Sequence, residues 1–478
     1  MNLLWTSDAL VAAMDGRPLG HLPRGVSGIS IDSRSLQPGD AFFAIRGETM
    51  DGHDFATAAV KAGAVLLVVS EEKLPALGRL TAPMIVVPDV LEALEKLGIA
   101  ARDRAQARIV AVTGSVGKTS TKEALRHGLS AVGSVHASAA SFNNHWGVPL
   151  TLARMPAECD YAVFEIGMNH ENEIRPLVKM VRPHVAIVTS IAPAHLGHFN
   201  SMDDIARAKA EIFEGLEPGG TALLNRDDGR FRLLDELARQ AGVKKVIGYG
   251  ENAKAQVRLT NFVLHADHSI MTADVDGQEV AAKIGAPGRH VVQNVLAVLG
   301  TAKLVDADVA RVALAMGDLV PERGRGRRHK LRLPGGTFTL IDESYNANPA
   351  SMKAAMSLLE ATPVEPGARR IAVLGDMLEL GDHSSRLHGA LADLIAKTST
   401  DLVFLAGPEM RALADRLPEE FPAEHRANGE ELRLVLMQAI RPGDVVMVKA
   451  SKSIGFAKLV DALMERFPEA AGNATQHG

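Results

Sequence analysis

Short apolar, β-branched runs alternate with amphipathic helical stretches along nearly all of the chain. Strands buried on both faces read as continuous apolar runs, and the connections between them as helices, so this alternation predicts an α/β protein with mainly parallel sheets. Three blocks emerge. The first, residues 1–88, predicts strands at Val26-Ser-Gly-Ile-Ser-Ile31, Ala41-Phe-Phe-Ala-Ile45, Ala64-Val-Leu-Leu-Val-Val69 and Met84-Ile-Val-Val87. The second, residues 89–320, opens with a helix near Val90. Its strands are Arg108-Ile-Val-Ala-Val112, Tyr161-Ala-Val-Phe164, Val185-Ala-Ile-Val-Thr189 and Thr221-Ala-Leu-Leu224. The third, residues 321–478, starts at the basic stretch Arg323-Gly-Arg-Gly-Arg-Arg-His-Lys-Leu-Arg332. It continues with strands Phe338-Thr-Leu-Ile341, Ile371-Ala-Val-Leu374, Leu402-Val-Phe-Leu405 and Val445-Val-Met-Val448, separated by helical runs. Such spacing describes a doubly wound sheet.

At 478 residues the chain exceeds one hydrophobic core, so several domains are expected. Short linkers between the blocks point to a hinged enzyme. A net charge of −5 gives no bulk electrostatic reason to bind nucleic acid or an anionic membrane, and neither is expected as a partner. The single cysteine, Cys159, excludes an intramolecular disulfide and argues against a cysteine-based zinc site. The N-terminus shows no basic segment followed by a long apolar run, and no stretch has the ~18 uninterrupted apolar residues of a membrane span. A soluble, cytoplasmic protein, monomeric and without membrane insertion, is therefore expected.

The chemistry concentrates at Thr113-Gly114-Ser115-Val116-Gly117-Lys118-Thr119-Ser120, between an apolar strand and a run of helix formers. A glycine-rich turn in that position aims backbone N–H groups and a helix N-terminus at one anion. Lys118 would reach the β- and γ-phosphates and the Thr119 hydroxyl would hold Mg²⁺. The general pattern has a glycine six residues before the lysine; Val112 stands there, leaving Gly114-x-x-Gly117-Lys118-Thr119. A solvated glycine turn is the bland alternative, and the strand-to-helix context favours nucleotide binding.

Further polar groups stand where strands end, the side on which α/β folds bind ligands. Glu165 follows Tyr161–Phe164, and His195 follows Val185–Thr189 through Ser-Ile-Ala-Pro-Ala. A carboxylate, a hydroxyl and an imidazole beside a phosphate loop can complete a Mg²⁺ site. Glu165 also reads as a solvated loop acid, and His195 as a structural hydrogen-bonding group. Lys209 is stranger. Ser201 reads as an N-cap, and Ile205, Ile212, Phe213 and Leu216 form the inward stripe of the next helix. Lys209, four residues from both Ile205 and Phe213, falls on that stripe: either it snorkels, or it turns into a site that alters its charge.

Together these segments resemble the Mur ligases of peptidoglycan synthesis: the phosphate loop, Glu165 after its strand, Ala194-His195-Leu196 and Ala208-Lys209-Ala-Glu-Ile. Leu224-Asn225-Arg-Asp-Asp228 and Gly288-Arg-His-Val-Val-Gln-Asn294 match as well, and the missing first glycine is normal in that family. The resemblance implies three domains: a small N-terminal α/β domain, a central P-loop ATPase-like domain and a C-terminal Rossmann-like domain. It implies ATP and Mg²⁺, with Lys118 and Thr119 on the γ-phosphate and first metal, and Glu165 and His195 at the metal. Lys209 matches a lysine that family members carbamylate, and Asn294 an asparagine on the nucleotide side.

Asp342-Glu-Ser-Tyr345-Asn346-Ala-Asn348-Pro-Ala-Ser-Met352 resembles the signature of the members that add D-alanyl-D-alanine to a UDP-N-acetylmuramoyl-tripeptide. Leu374-Gly-Asp376-Met-Leu-Glu379-Leu-Gly-Asp-His383 with His388 fits the same members. From these segments the resemblance implies substrate contacts at Tyr345, Asn346 and Asn348, and a nucleotide contact at Asp342. In the basic stretch both Arg325 and Arg327 align with a phosphate-binding arginine, and Arg325 is favoured. In the first block Asp32-Ser33-Arg34 and Gly47-Glu-Thr-Met-Asp51-Gly-His53-Asp-Phe55 resemble the part that receives the uridine diphosphate. Ser141-Phe-Asn143-Asn144-His-Trp-Gly147 resembles the substrate-facing turn. Rival readings are a relative adding another amino acid, a folylpolyglutamate-type synthetase, and a P-loop motor or signalling NTPase. Ser344-Tyr-Asn-Ala-Asn348 argues against the first two.

Overall fold

The computed structural model describes residues 3–139, 141–194 and 196–470. Each of the three predicted blocks builds its own sheet. In the first, strands run in the order Arg17–Leu19, Met84–Val87, Leu66–Ser70, Asp40–Phe43, Gly28–Ser30, all parallel except the antiparallel edge strand Arg17–Leu19. The helix Val90–Arg104 buries Val90, Ala93, Leu94, Leu97 and Ala101 in the core of that sheet, together with Leu150 and Ala153 of the helix Gly147–Ala153. The border expected near residue 88 thus lies inside a shared apolar layer.

The nine-stranded central sheet places the strand Arg108–Thr113 between Val185–Val188 and Tyr161–Glu165, both parallel to it. Successive residues face opposite sides. Ile109, Ala111, Ala162 and Phe164 enter one core layer, while Val110, Val112 and Val163 enter the other. Burial on both faces is why these strands read as unbroken apolar runs. The antiparallel strands Val257–Leu264, Ser269–Val275 and Gln278–Ile284 extend this sheet and were not foreseen. Buried and more exposed positions alternate along Ser269–Val275 and through most of Gln278–Ile284, as in strands covered on one face.

The C-terminal sheet runs Arg327–Leu333, Gly336–Glu343, Val445–Lys449, Arg370–Gly375, Leu402–Ala406, Ala423–Arg426, with only the first pair antiparallel. Much of the basic stretch is therefore an edge strand. His329 and Leu331 point inward, while Arg327, Lys330 and Arg332 face water. Among the described residues no helix is long and apolar enough to cross a membrane.

Candidate active site

The phosphate loop is held to the neighbouring strand by backbone and hydroxyl contacts. Thr189 N–H donates to Thr113 O (3.0 Å) and Ser115 N–H to Ser190 O (2.8 Å). The hydroxyls of Thr189 and Ser190 both donate to Val116 O, at 2.6 and 3.2 Å. Gly114, at φ +148°, has no room for a side chain: a Cβ would stand 1.9 Å from Thr189 Oγ1. Gly117, at φ +88°, would bring a Cβ within 2.9 Å of Asn294 Oδ1, so the asparagine lies against the loop. The helix Lys118–Leu129 begins at Gly117 with no side-chain cap, leaving its first N–H groups for an anion. Thr113, Ser115 and Thr119 are buried around it, and the hydroxyls of Thr113 and Ser115 have no hydrogen-bond partner among the described residues.

Register explains how the other charges arrive. Glu165 pairs with Val112 at the carboxyl end of its strand, so its side chain emerges beside the loop. It is almost wholly buried; Oε1 accepts from Asn143 Nδ2 (2.7 Å), and Oε2 is buried without a partner among the described residues. Lys118 Nζ donates to Gly114 O (2.6 Å). Burial pushes its pKa below the ordinary lysine value, while the Glu165 carboxylate pulls it up and the Arg325 guanidinium pushes it further down.

Lys209 does lie on the inward stripe. Ser201 caps the helix Met202–Ala210 by accepting from Asp204 N–H (3.1 Å), and Lys209 is 1 % exposed. Burial drives its pKa well below the ordinary lysine value, and the neighbouring Lys118 ammonium lowers it further; among the described residues no anion acts in the other direction. The snorkelling alternative is thereby excluded. His195, expected at the metal, lies outside the described residues.

The C-terminal domain is closed over this cluster. Gly197 N–H donates to Glu379 O (2.9 Å), and the hydroxyls of Ser141 and Tyr345 are bonded across the domain gap. Arg325 is half-buried, its guanidinium 4.1 Å from the Tyr345 ring centroid, whereas Arg327 is exposed. The Arg325 charge acts on Lys118 of the glycine turn. Asp342 is fully buried with both oxygens engaged: Oδ2 accepts from Gly324 N–H (2.8 Å), and Oδ1 from Ser344 N–H (3.1 Å) and Oγ (2.6 Å). It shapes the turn that carries Arg325.

Other expected substrate residues carry structural bonds. Asn348 Oδ1 accepts from Ser351 N–H (2.9 Å) in a capping box for the helix Pro349–Ala361. Asn346 Oδ1 accepts from Ala347 N–H (2.9 Å), and Asn144 Oδ1 from Gly147 N–H (2.9 Å). In the first domain, Asp51 Oδ1 accepts from His53 Nδ1 (2.6 Å) and Oδ2 from Lys73 (2.8 Å). His53 Nε2 then accepts from Ser70 N–H (3.0 Å), which fixes the Nδ1–H tautomer. Gly47 N–H closes its turn on Met50 O (2.8 Å), Arg34 is exposed and paired with Asp32, and Ser33 is half-buried between them.

The sequence reading missed an ion pair, Lys449 Nζ to Glu343 Oε2 (3.0 Å), in which Lys449 also donates to Asn346 O (3.0 Å). Both residues end strands, and both charges act on His290 of the central domain. A lysine closing the otherwise apolar strand Val445–Lys449 was the available signal. Beside Asn294 a narrow, largely apolar slot is lined by Ala124, Val291, Val295, Val320 and Arg325.

The chain is similar to known proteins over most of its length. The Mur ligase middle domain matches residues 112–302, the Mur ligase glutamate ligase domain residues 326–452, and the Mur ligase family catalytic domain residues 25–102. The UDP-N-acetylmuramoyl-tripeptide–D-alanyl-D-alanine ligase of Escherichia coli (strain K12) is 35% identical over 442 residues, covering 91% of this chain and 93% of that protein. The enzyme of the same name from Rickettsia prowazekii is 30% identical over 434 residues, covering 91% and 94%. A crystal structure of MurF from Acinetobacter baumannii superimposes with a TM-score of 0.83 at 30% identity, covering 96% of this chain and 99% of that one. A phosphate loop flanked by Glu165 and Lys209, beneath a closed third domain, is thus the central feature of a chain that belongs to the Mur ligase family.

Proposed function

We propose that this chain joins D-alanyl-D-alanine to a UDP-N-acetylmuramoyl-tripeptide, using ATP, in the cytoplasm. One observation carries the reading: three cations, Lys118, Lys209 and Arg325, gather with the half-partnered Glu165 at one phosphate loop. The names of the relatives and the segment Asp342–Asn348 support the choice of substrates.

A carboxylate does not condense with an amine in water until it gains a leaving group. A carboxylate oxygen of the tripeptide attacks the γ-phosphorus, the bond to the β-bridging oxygen breaks, and ADP leaves with that electron pair. The dipeptide's uncharged amine then attacks the acyl carbon. The tetrahedral intermediate expels inorganic phosphate, and the nitrogen loses a proton to give the amide.

Both steps crowd anions together, so preorganised positive charge is the main catalytic resource. Lys118 and the open N–H groups at Gly117–Thr119 face the phosphates, Arg325 approaches from the third domain, and closure excludes water from the acyl phosphate. Asn294 and the apolar slot beside it would take the base. The Glu165 Oε2 orphan and the Thr119 hydroxyl are hard oxygen donors suited to Mg²⁺, which needs few protein ligands when it shares phosphate oxygens. Mg²⁺ would supply countercharge to the transferring phosphoryl group.

Lys209 completes the set as a carbamate. Its lowered pKa makes a neutral amine available, which attacks carbon dioxide and releases a proton, turning a buried cation into an oxygen-bearing anion. Its attraction to Lys118 then replaces repulsion. The test is phosphate release by the full chain with ATP and UDP-N-acetylmuramoyl-tripeptides ending in either diaminopimelate or lysine, with and without D-alanyl-D-alanine. Release that depends on both substrates is expected; turnover indifferent to the dipeptide would favour a simple NTPase.

A further inference from the structure

The closed domains meet through a small polar contact whose two ends each lie near the phosphate loop. Tyr345 follows the strand Gly336–Glu343, and its N–H donates to Gly324 O (3.1 Å) in the turn that carries Arg325. Two cations lie over the ring: Arg325 at 4.1 Å and Lys452 Nζ at 5.5 Å from its centroid. Cations over an aromatic face are attracted by its quadrupole, so ring and guanidinium hold each other in place. The hydroxyl reaches the central domain and bonds Ser141.

Ser141 belongs to the loop before the helix Gly147–Ala153, and its carbonyl accepts from Asn143 N–H (2.8 Å). Asn143 in turn donates through Nδ2 to Glu165 Oε1 (2.7 Å) and accepts from Gly167 N–H (2.9 Å). A continuous path therefore runs from Arg325 through Tyr345, Ser141 and Asn143 to Glu165. Each step is a direct contact, and only the Tyr345–Ser141 bond crosses between domains along it.

We propose that Tyr345 is a positioning residue: its hydroxyl, docked on Ser141, aligns Arg325 with the Asn143–Glu165 arm when the third domain closes. The proposal rests on the ligase reading for its effect on turnover, not for its effect on closure. Such an assignment gives the aromatic ring and the hydroxyl separate tasks. Phenylalanine keeps the ring beneath Arg325 and Lys452 and removes only the bond between domains, which makes the role testable without disturbing either fold.

The experiment compares full-length wild type, Y345F, S141A, the double variant and S141T. Three quantities are measured: kcat/KM for D-alanyl-D-alanine, the ratio of phosphate released to amide formed, and the radius of gyration by small-angle scattering with ADP. Loss of one neutral hydrogen bond predicts about a fivefold fall in kcat/KM for either single variant. The double variant should fall no further, because both changes delete the same bond. More phosphate should be lost without amide, as a loosened domain admits water to the acyl phosphate, and the ADP-bound chain should expand. S141T, which keeps a hydroxyl, should retain the wild-type ratio. Additive losses, or an unchanged phosphate-to-amide ratio in Y345F, would overturn the proposal. Scattering judges the latch even if wild type shows no dipeptide-dependent turnover: expansion in Y345F and S141A supports it, and an unchanged radius rejects it.

Discussion

Replacing Lys118 with methionine separates what this lysine does for stability from what it does for chemistry. Before Lys209 is carbamylated, the half-buried Lys118 side chain donates to Gly114 O and repels the buried Lys209 ammonium. Removing a poorly compensated buried charge while keeping the apolar stem is stabilising by about 1–3 kcal/mol. For a domain of this size that corresponds to a rise of about 3–9 °C in its melting transition. The pH dependence follows in sign. A lysine whose folded pKa is depressed binds fewer protons folded than unfolded, so its destabilisation is complete below the folded pKa. That destabilisation fades as pH rises towards the ordinary value of 10.5. Wild-type stability, measured without nucleotide and in buffer freed of carbon dioxide so that Lys209 stays an amine, should therefore climb through the alkaline range, and Lys118→Met should flatten the climb. Ligation should fall by at least about a hundredfold, since a fixed charge facing the transferred phosphate is lost. Calorimetry across pH and dipeptide-dependent phosphate release check the two halves. A folded variant with near-normal turnover, or one markedly less stable than wild type at neutral pH, would refute the reasoning.

Lys209→Ala should lose activity and regain part of it with short carboxylic acids, which restore the oxygen anion; indifference to added acid would leave the residue purely structural. Gly114→Ala should weaken nucleotide binding and destabilise the central domain by about 1–3 kcal/mol, because its φ of +148° and the Thr189 hydroxyl 1.9 Å from the new Cβ both oppose it. Titration with ADP and thermal melting measure this, and wild-type behaviour in both would contradict the loop geometry. Asn348→Ala removes the cap of the helix Pro349–Ala361 and should cost about 1 kcal/mol of C-terminal domain stability. A large rise in the KM for D-alanyl-D-alanine with unchanged stability would instead assign Asn348 to the substrate.

The sequence alone determined the order and kind of most elements and the glycine turn between the strand Arg108–Thr113 and the helix Lys118–Leu129. Apolar runs buried on both sheet faces and a glycine turn before a helix are local signals, read from neighbours in the chain. Lys209 was conspicuous because helical periodicity placed it among Ile205, Ile212 and Phe213, yet whether it snorkelled or was sealed depended on what packed against it. The basic stretch at 323–332 read as charge and folded as an edge strand, because alternate exposure matters only once a sheet lies on one side. Tertiary structure alone decided which polar groups were free. Glu165, one side of it unpartnered, and Asp342, fully engaged, look equivalent as strand-end acids, and only packing tells them apart. Asn348 likewise became a cap, and Tyr345 a bond to Ser141, through contacts that pattern does not encode. Periodicity fixes which way a side chain points; the partner it meets there comes from distant chain brought close by the sheets.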